Sequence, residues 1–284
     1  MKYLIIGLFI KYINKMQRIA ITCGEQSENH VGMEIHGSGL SNCGFSEKDL
    51  ISWKDKFEEM GALCELYDLK DNFFKSPDIM DVIDLVDDAH ILIIRNGINA
   101  LLNKTDGNIN NSNDMFNECL SVNWDKRYYD TRRKKVLNKH ARYNNCFGDT
   151  SQNADLENKK GTVVAYSNVP ILNKWKTNLS TFICGDNLQA EGNLYYDVNK
   201  CGIGFHGDSE RKKVIAASLG SSTEIHWQWF FNSKPIGDRF KIQVNCGDMY
   251  IMSDKATGHD WKKKTKITLR HAAGCDKYVT IKQK

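Results

Sequence analysis

Two residues in the middle of the chain, His206 and Asp208, have the types and the spacing of metal ligands. They lie in the segment CGIGFHGDSERKKVIAASLG, residues 201–220, whose apolar residues and glycines are typical of β-structure. Because residues i and i+2 of a strand face the same side, the imidazole and the carboxylate would point into one space. This pair suits two of the three ligands in a 2-His-1-carboxylate triad, which leaves coordination positions open on Fe(II).

The residues around this pair, from TVVAYSNVP to KYVTIK, have the pattern of a series of short strands. Gly, Asp, Asn and Lys turns separate them. So many short strands predict a closed double sheet, a jelly roll. The strand-like segments are TVVAYSNVP, GNLYYDV, GIGFHGD, KVIAASLG, IHWQWFF, FKIQVNCGDMYIM, KITLRHAAG and KYVTIK.

The first hundred residues predict a different organisation. Apolar strands at 18–22, 62–69 and 90–97 alternate with helical patterns, among them a helix at 46–60 that begins at Ser46. This order favours a small parallel α/β unit. An Asn-rich polar stretch then indicates a linker. We therefore predict an α+β protein with a smaller N-terminal α/β accessory domain (1–104), a linker (105–123) and a C-terminal jelly-roll domain (124–284).

Charge is distributed unevenly along the chain. The formal net charge of +4 combines −7 in residues 1–114 with +11 in residues 115–284. Residues 124–149 interleave eight Lys and Arg with Trp124 and three tyrosines, a pattern that can bind phosphates and stack on bases. A basic surface hairpin is the alternative. The basic half therefore makes nucleic acid a candidate partner.

The cysteines and the N-terminal apolar run bear on the compartment. Nine cysteines are scattered without a C-x-x-C pair, which predicts reduced thiols in the cytoplasm or nucleus. The apolar run near the N-terminus, Tyr3 to Ile10, is too short to span a bilayer. We expect no membrane association.

Residues 190–220, AEGNLYYDVNKCGIGFHGDSERKKVIAASLG, resemble the AlkB-like branch of the Fe(II)- and 2-oxoglutarate-dependent dioxygenases. That family has an Asn-x-Tyr segment, an Ile-Gly-x-His-x-Asp-x-Glu core and a Ser-Leu-Gly strand in this order. The later GDMYIMS, residues 247–253, is similar to the family's Gly-Asp strand before its distal histidine. The resemblance covers roughly residues 124–284 and implies a double-stranded β-helix (jelly roll) with Fe(II) as cofactor and 2-oxoglutarate as co-substrate.

The resemblance also implies a set of iron ligands. His206 and Asp208 match the first two, and both His259 and His271 lie at a suitable distance along the chain for the third. We favour His271, because it lies on a predicted strand while His259 lies in a polar loop.

The co-substrate site depends on that choice. The far carboxylate of 2-oxoglutarate needs a fixed cation after the last histidine. If His271 binds iron, Lys282 takes this role; if His259 does, Arg270 takes it. Tyr196 is expected to hydrogen-bond the co-substrate.

Two departures from the family bear on the substrate. Leu194 stands where the family has asparagine, and the last predicted strand keeps a single cation in place of two arginines and an asparagine. We still expect Fe(II) and 2-oxoglutarate to bind despite these changes. The changes do argue against repair of alkylated bases as the function. Three functions stay open: a dioxygenase that hydroxylates or demethylates a nucleic acid base, a dioxygenase that hydroxylates a protein side chain or a small molecule, and a non-catalytic binding module.

Overall fold

The computed structural model describes residues 17–73, 86–103, 110–183 and 188–281, which form mostly strands. The strands are β1 (Arg18–Gly24), β2 (Gln26–Glu28), β3 (Ile35–Gly37), β4 (Leu63–Asp68), β5 (His90–Arg95), β6 (Arg127–Asp130), β7 (Lys135–Asn138), β8 (Tyr143–Gly148), β9 (Val163–Ala165), β10 (Gln189–Tyr195), β11 (Gly202–His206), β12 (Val214–Gly220), β13 (Thr223–Phe231), β14 (Lys234–Val244), β15 (Met249–Met252) and β16 (Thr268–Gly274). The helices are α1 (Glu47–Glu59), α2 (Lys70–Phe73), α3 (Gly97–Leu102), α4 (Ser112–Ser121), α5 (Pro170–Phe182) and α6 (Asp276–Val279), and 3₁₀ turns lie at Tyr166–Asn168 and Lys255–Thr257.

The strands form two main sheets that face each other. The large sheet has the order β4-β5-β15-β12-β1-β10-β8-β9, and the small sheet has the order β11-β16-β13-β14. Two separate hairpins, β2–β3 and β6–β7, complete the described strands. Neighbouring strands are antiparallel except β8 and β9. The predicted α+β class is confirmed at this level: a β-rich sandwich with few helices.

The large sheet is buried on both faces, and this explains its continuous apolar strands. In β5, Ile91 and Ile93 face the small sheet, while Leu92 and Ile94 face the helices. A strand covered on both sides needs apolar residues at every position rather than at alternate positions. Each isoleucine or leucine buried in this way stabilises the fold by about 1.5–3 kcal/mol.

Helix α1 forms where the sequence predicts it. The Ser46 side chain accepts a hydrogen bond from the Asp49 backbone N–H, and the Asp49 side chain accepts one from the Ser46 N–H. This reciprocal cap satisfies donors that the first helical turn leaves unpaired. Leu50, Trp53 and Phe57 are buried against the large sheet and cover its outer face.

The parallel α/β unit expected within residues 18–97 is not formed. Strand β4 pairs antiparallel with β5, whose other neighbour is β15. Strand β1 lies apart from them, between β10 and β12, and is antiparallel to both. The prediction was wrong because apolar patterning identifies strands without identifying their neighbours. Strands from the first hundred residues and from the basic half therefore share one sheet.

The segment predicted as a linker contains a packed helix. Helix α4 begins after Asn111, whose side chain accepts hydrogen bonds from two backbone N–H groups of the first turn. Met115, Phe116 and Cys119 of α4 are buried in the core outside the large sheet. The Asn-rich stretch thus ends in a helix cap, because asparagine serves both loops and N-caps.

Residues 277–282, predicted as the last strand, do not form a strand where the structure describes them. Residues Asp276–Val279 form α6, which follows directly after β16. Gly274 has a φ of 115°, a left-handed conformation that turns the chain away from the sheet. Lys282 lies outside the described residues.

Two further findings concern helices and cysteines. No helix in the described ranges is long and apolar enough to cross a membrane. The eight cysteines described there are all free thiols, five of them among the buried core residues Cys23, Cys64, Cys119, Cys146 and Cys201.

We predict that a fragment consisting of residues 105–284 does not fold by itself. It lacks β1, so backbone donors and acceptors along both β10 and β12 lose their partners. Thermal unfolding followed by circular dichroism should show no cooperative transition for the fragment and a clear one for the full chain. A cooperative transition in the fragment would instead support an independent C-terminal domain.

Candidate metal centre

The pairing of β11 with β16 brings two histidines together. Ile203 lies opposite Ala273, but His206, rather than Phe205, lies opposite His271. One extra residue in β11, a β-bulge, accounts for this shift of register. The bulge turns the His206 side chain toward His271, and the centroids of the two rings are 4.4 Å apart.

Asp208 joins the histidines from beyond the end of β11, which stops at His206. Its backbone N–H donates to the Thr257 carbonyl oxygen at 3.0 Å, which anchors this turn to the 3₁₀ segment at 255–257. Gly207 lies between the two ligands, and a Cβ there would come within 1.9 Å of the Gly258 carbonyl oxygen. The His-Gly-Asp sequence therefore allows a backbone approach that a side chain would prevent.

The three side chains form a compact donor set. The Asp208 Oδ1 atom lies 3.5 Å from the His206 Nε2 atom and 3.7 Å from the His271 Nε2 atom. One donor atom from each residue falls within 4.8 Å of the other two, so the group could hold a metal ion. Two imidazole nitrogens and one carboxylate oxygen suit a divalent transition metal.

Hydrogen bonding directs the free electron pair of His206 into this set. Its Nδ1 atom lies 2.9 Å from the Gly204 carbonyl oxygen and 3.1 Å from the His271 carbonyl oxygen. Two acceptors at these distances require the proton on Nδ1, which leaves Nε2 as an acceptor facing the Asp208 carboxylate. Two hydrogen-bond acceptors that face each other repel, and a cation bound between them would satisfy both.

The charge states also suit metal binding. Burial lowers the pKa of His206 to about 3, and the neighbouring His271 adds to this effect. Burial likewise lowers the pKa of His271. Burial alone would raise the pKa of Asp208, but its interactions with His271 and with the Arg211 guanidinium outweigh this effect and hold that pKa below its usual value. The group therefore offers two neutral imidazoles and one carboxylate, the forms in which these side chains bind metals.

A buried ion pair stands behind the carboxylate. Arg211 pairs with Glu191 of β10, and its Nη1 atom lies 4.0 Å from the Asp208 Oδ2 atom. The Arg211 Nε also donates to the Gln26 carbonyl oxygen at 2.8 Å. Arg211 thus ties the turn after β11 to the large sheet and holds the second Asp208 oxygen away from the donor set.

His259, the alternative third ligand, lies elsewhere. Its Nδ1 atom is 3.0 Å from the Asp254 Oδ1 atom, and this hydrogen bond raises the pKa of His259. It is not part of the group that His206 and Asp208 form with His271. The preference for His271 therefore agrees with the geometry of the structure.

The donor set opens into a cavity of about 1020 Å³ between the two sheets. His206 and His271 stand on the small-sheet wall, and alternate residues of β1 and β10 form the opposite wall. The β2–β3 and β6–β7 hairpins contribute residues near one end of the cavity, among them His30 and Tyr128. This volume is typical of a site that holds a small molecule.

Tyr196 does not line this cavity; Tyr195 does. Tyr196 stacks on Tyr143 with ring centroids 4.5 Å apart, and its hydroxyl donates to the His140 carbonyl oxygen at 2.9 Å. Asn193 and Tyr195 of β10 face the cavity, whereas Leu194 is buried in the outer core. Since side chains alternate along a strand, an error of one residue exchanges the two faces. The Asn-x-Tyr triplet whose two polar side chains face the cavity is therefore Asn193-Leu194-Tyr195.

Arg270, one of the two predicted carboxylate anchors, does not line the cavity. Arg270 precedes His271 on β16 and points to the other face, where its guanidinium lies 4.2 Å from the centroid of the Phe230 ring. It also donates to the Trp261 carbonyl oxygen at 3.3 Å. Lys282 lies outside the described residues.

Sequence reasoning missed several polar residues that do line the cavity. Arg18 opens β1, Lys139 follows β7, and Arg142 precedes β8. Lys139 is buried, which lowers its pKa to about 7, and its ammonium group donates to the Asn29 side chain at 2.6 Å. A cation at the start of an apolar strand, as in RIAIT, is the sequence signal that could have drawn attention to Arg18.

We predict that Gly207→Ala weakens metal binding and destabilises the protein, because its methyl group would meet the Gly258 backbone at 1.9 Å. Overpacking of this kind costs about 1–3 kcal/mol of the free energy of unfolding. Gly204→Ala is the matched control, since its Cβ finds its nearest atom at 3.7 Å. Calorimetric titration with Mn²⁺ and thermal unfolding should show a clear loss for the first variant only. Equal behaviour of the two variants would mean that the close approach at Gly207 does not position the ligands.

Comparison with known proteins identifies a relative of the whole chain. No family model matches the sequence. Over 266 residues the chain is 43% identical to a protein of Acanthamoeba polyphaga mimivirus named "Uncharacterized protein R156". The match covers 93% of this chain and 98% of the viral protein, and that name states no activity. The chain belongs to the same family as this mimivirus protein.

Proposed function

We propose that the protein is an Fe(II)- and 2-oxoglutarate-dependent dioxygenase, as its resemblance to the AlkB-like enzymes implies. The observation that carries this proposal is the His206–Asp208–His271 group in the wall of a large cavity between two sheets. A 2-His-1-carboxylate set with open space beside it is typical of non-haem Fe(II) oxygenases.

The strand order supports a double-stranded β-helix for this proposal. From β10 onward the chain changes sheet after every strand except β13, which is followed by β14 in the same sheet: β10, β12 and β15 belong to the large sheet and β11, β13, β14 and β16 to the small one. A jelly roll has eight strands. The position between β10 and β12 is filled by β1, so we propose that the N-terminal strand completes the eight.

The residues present fit an iron ion. His206 and His271 would bind it through their Nε2 atoms, and Asp208 would bind it through Oδ1. With 2-oxoglutarate and dioxygen as co-substrates, a bound Fe(II) would supply the oxidation of a substrate C–H bond to a hydroxyl: one oxygen atom would go to the substrate and the other to succinate, formed from 2-oxoglutarate with loss of CO2, and on an N-methyl group the hydroxylated product would lose formaldehyde.

The chain's own contribution is to orient the ligands and exclude water. The bulge in β11 and the contact at Gly207 fix two of the ligands, and the pairing with β16 fixes the third. Trp227 is buried, and its ring centroid lies 6.5 Å from that of His271, so it closes the small-sheet side of the centre. A dry, preorganised site strengthens the electrostatic interactions on which such chemistry depends.

Anaerobic addition of Fe(II) and 2-oxoglutarate should produce a metal-to-ligand charge-transfer absorption band. We predict that the wild type shows the band and that His271→Ala abolishes it, because one of three ligands is lost. His259→Ala is the matched control and should retain the band, since His259 pairs with Asp254.

The outcomes of this experiment separate the function classes. Absence of the band from the wild type would refute the dioxygenase proposal and favour a binding module on the same fold. Loss of the band in His259→Ala but not in His271→Ala would overturn the ligand assignment.

Nucleic acid is the substrate class that the surface beside the cavity favours. Tyr128 of β6 stacks on His30, with ring centroids 3.7 Å apart and an interplanar angle of 18°. Burial lowers the pKa of His30 to about 4, so its imidazole is neutral at physiological pH. The turn of the same hairpin carries four exposed cations, residues 132–135. Stacking rings next to a basic turn suit a base and its phosphates.

Neutralising part of this turn should weaken binding to single-stranded methylated DNA in a salt-dependent way. For Arg132→Gln/Arg133→Gln we expect the negative slope of log K against log salt concentration to become shallower by about 1.4, because two phosphate contacts are lost. The control is Lys48→Gln/Lys174→Gln, which removes two charges from α1 and α5 on the opposite side of the large sheet. Equal slopes for the two variants in a fluorescence titration would point to a protein or small-molecule substrate instead.

A further inference from the structure

Arg18 is a buried cation without an anionic partner. It is 3% exposed, it lines the cavity, and its Nε atom has no hydrogen-bond partner. In the part of the chain that the structure describes, it forms no ion pair with a carboxylate. A buried guanidinium without a counter-charge costs free energy, and an anionic ligand would offset that cost.

The contact that Arg18 does make leaves its N–H groups available. Its guanidinium carbon lies 5.2 Å from the centroid of the Tyr195 ring, on the neighbouring strand. Stacking uses the face of the guanidinium, whereas the N–H donors point outward from its edge. Tyr195 therefore positions the guanidinium group of Arg18 without accepting hydrogen bonds from its N–H groups.

The other cations in the cavity wall are already committed or exposed. Arg211 pairs with Glu191, Lys139 donates to Asn29, and the Arg142 Nε donates to the Asn193 Oδ1 atom at 2.6 Å. Lys262 is exposed to solvent. Among the cations that line the cavity, Arg18 is thus the buried one whose N–H groups are most available to an incoming anion.

Arg18 and the donor set occupy opposite walls of one cavity. The histidines stand on the small sheet, and Arg18 stands on β1 of the large sheet. Burial raises the pKa of the Tyr250 hydroxyl. The charge of Arg18 lowers this pKa, and the charge of Asp208 raises it. Tyr250, Arg18 and Asp208 all line the same cavity.

We propose that Arg18 is the anchor for the far carboxylate of the dicarboxylic 2-oxo acid whose other end binds the metal. This inference rests on the proposed function and deepens it. It assigns to the first strand of the chain the role that sequence reasoning gave to Lys282 or Arg270. Because β1 is antiparallel to β10 and β12 and lies between them, its first residue is held in place from both sides.

The test is calorimetric binding of two acids to the Mn²⁺-loaded full-length protein: 2-oxoglutarate, and 2-oxobutanoate, which lacks the far carboxylate. The wild type should prefer 2-oxoglutarate. Arg18→Met should lower the affinity for 2-oxoglutarate about tenfold to a hundredfold and leave that for 2-oxobutanoate unchanged, because only a charge-assisted hydrogen-bond pair is lost. Arg18→Gln, which keeps a hydrogen-bonding group at the buried position, should show the same loss of preference.

Two controls make the outcomes distinct. The first control is the Mn²⁺ affinity, which should be unchanged in both Arg18 variants and thereby show that the site is folded. The second is Arg270→Met, which should keep the wild-type preference for 2-oxoglutarate, because Arg270 faces away from the cavity. If the Arg18 variants retain the preference, the anchor lies elsewhere and the dioxygenase proposal stands. If the metal-loaded wild type binds neither acid, both proposals fail.

Discussion

The site depends on the register between β11 and β16. With an unbroken register, Phe205 rather than His206 would lie opposite His271. The bulge moves the imidazole into that position, and the absence of a side chain at Gly207 lets the following turn bring Asp208 to both rings. Three ligands from one strand, one turn and one neighbouring strand converge because a single extra residue is accommodated in β11. The β-bulge thus positions the residues of the candidate metal centre.

The large sheet provides the rigid support for that arrangement. It is covered by helices on one face and by the small sheet on the other, so its strands cannot shift without exposing apolar surface. Arg211 of the turn after Asp208 is held by Glu191 of β10, which links the metal ligands to the opposite wall. Strand β1 lies at the centre of this sheet, so the N-terminal part of the chain belongs to the structure of the site rather than to an accessory unit.

The sequence contained the three residues of the candidate metal centre but only part of their setting. Types and spacing were enough for His206 and Asp208, and the strand context favoured His271 over His259. Two features of the cavity wall were hidden for physical reasons. The alternation of side chains places Tyr195 rather than Tyr196 in the wall, and the distant pairing of β1 with β10, about 170 residues apart in the chain, hid the position of Arg18. Periodicity within a segment reports which residues share a face, not which strand lies beside it.

We propose that His206, Asp208 and His271 together bind a single iron ion. X-ray absorption at the iron edge of anaerobically loaded protein, combined with the iron content per chain, tests this most directly. We expect one iron per chain, two imidazole ligands and otherwise oxygen ligands, with one imidazole lost in His271→Ala. Sulfur in the first coordination shell, or an unchanged spectrum in that variant, would contradict it.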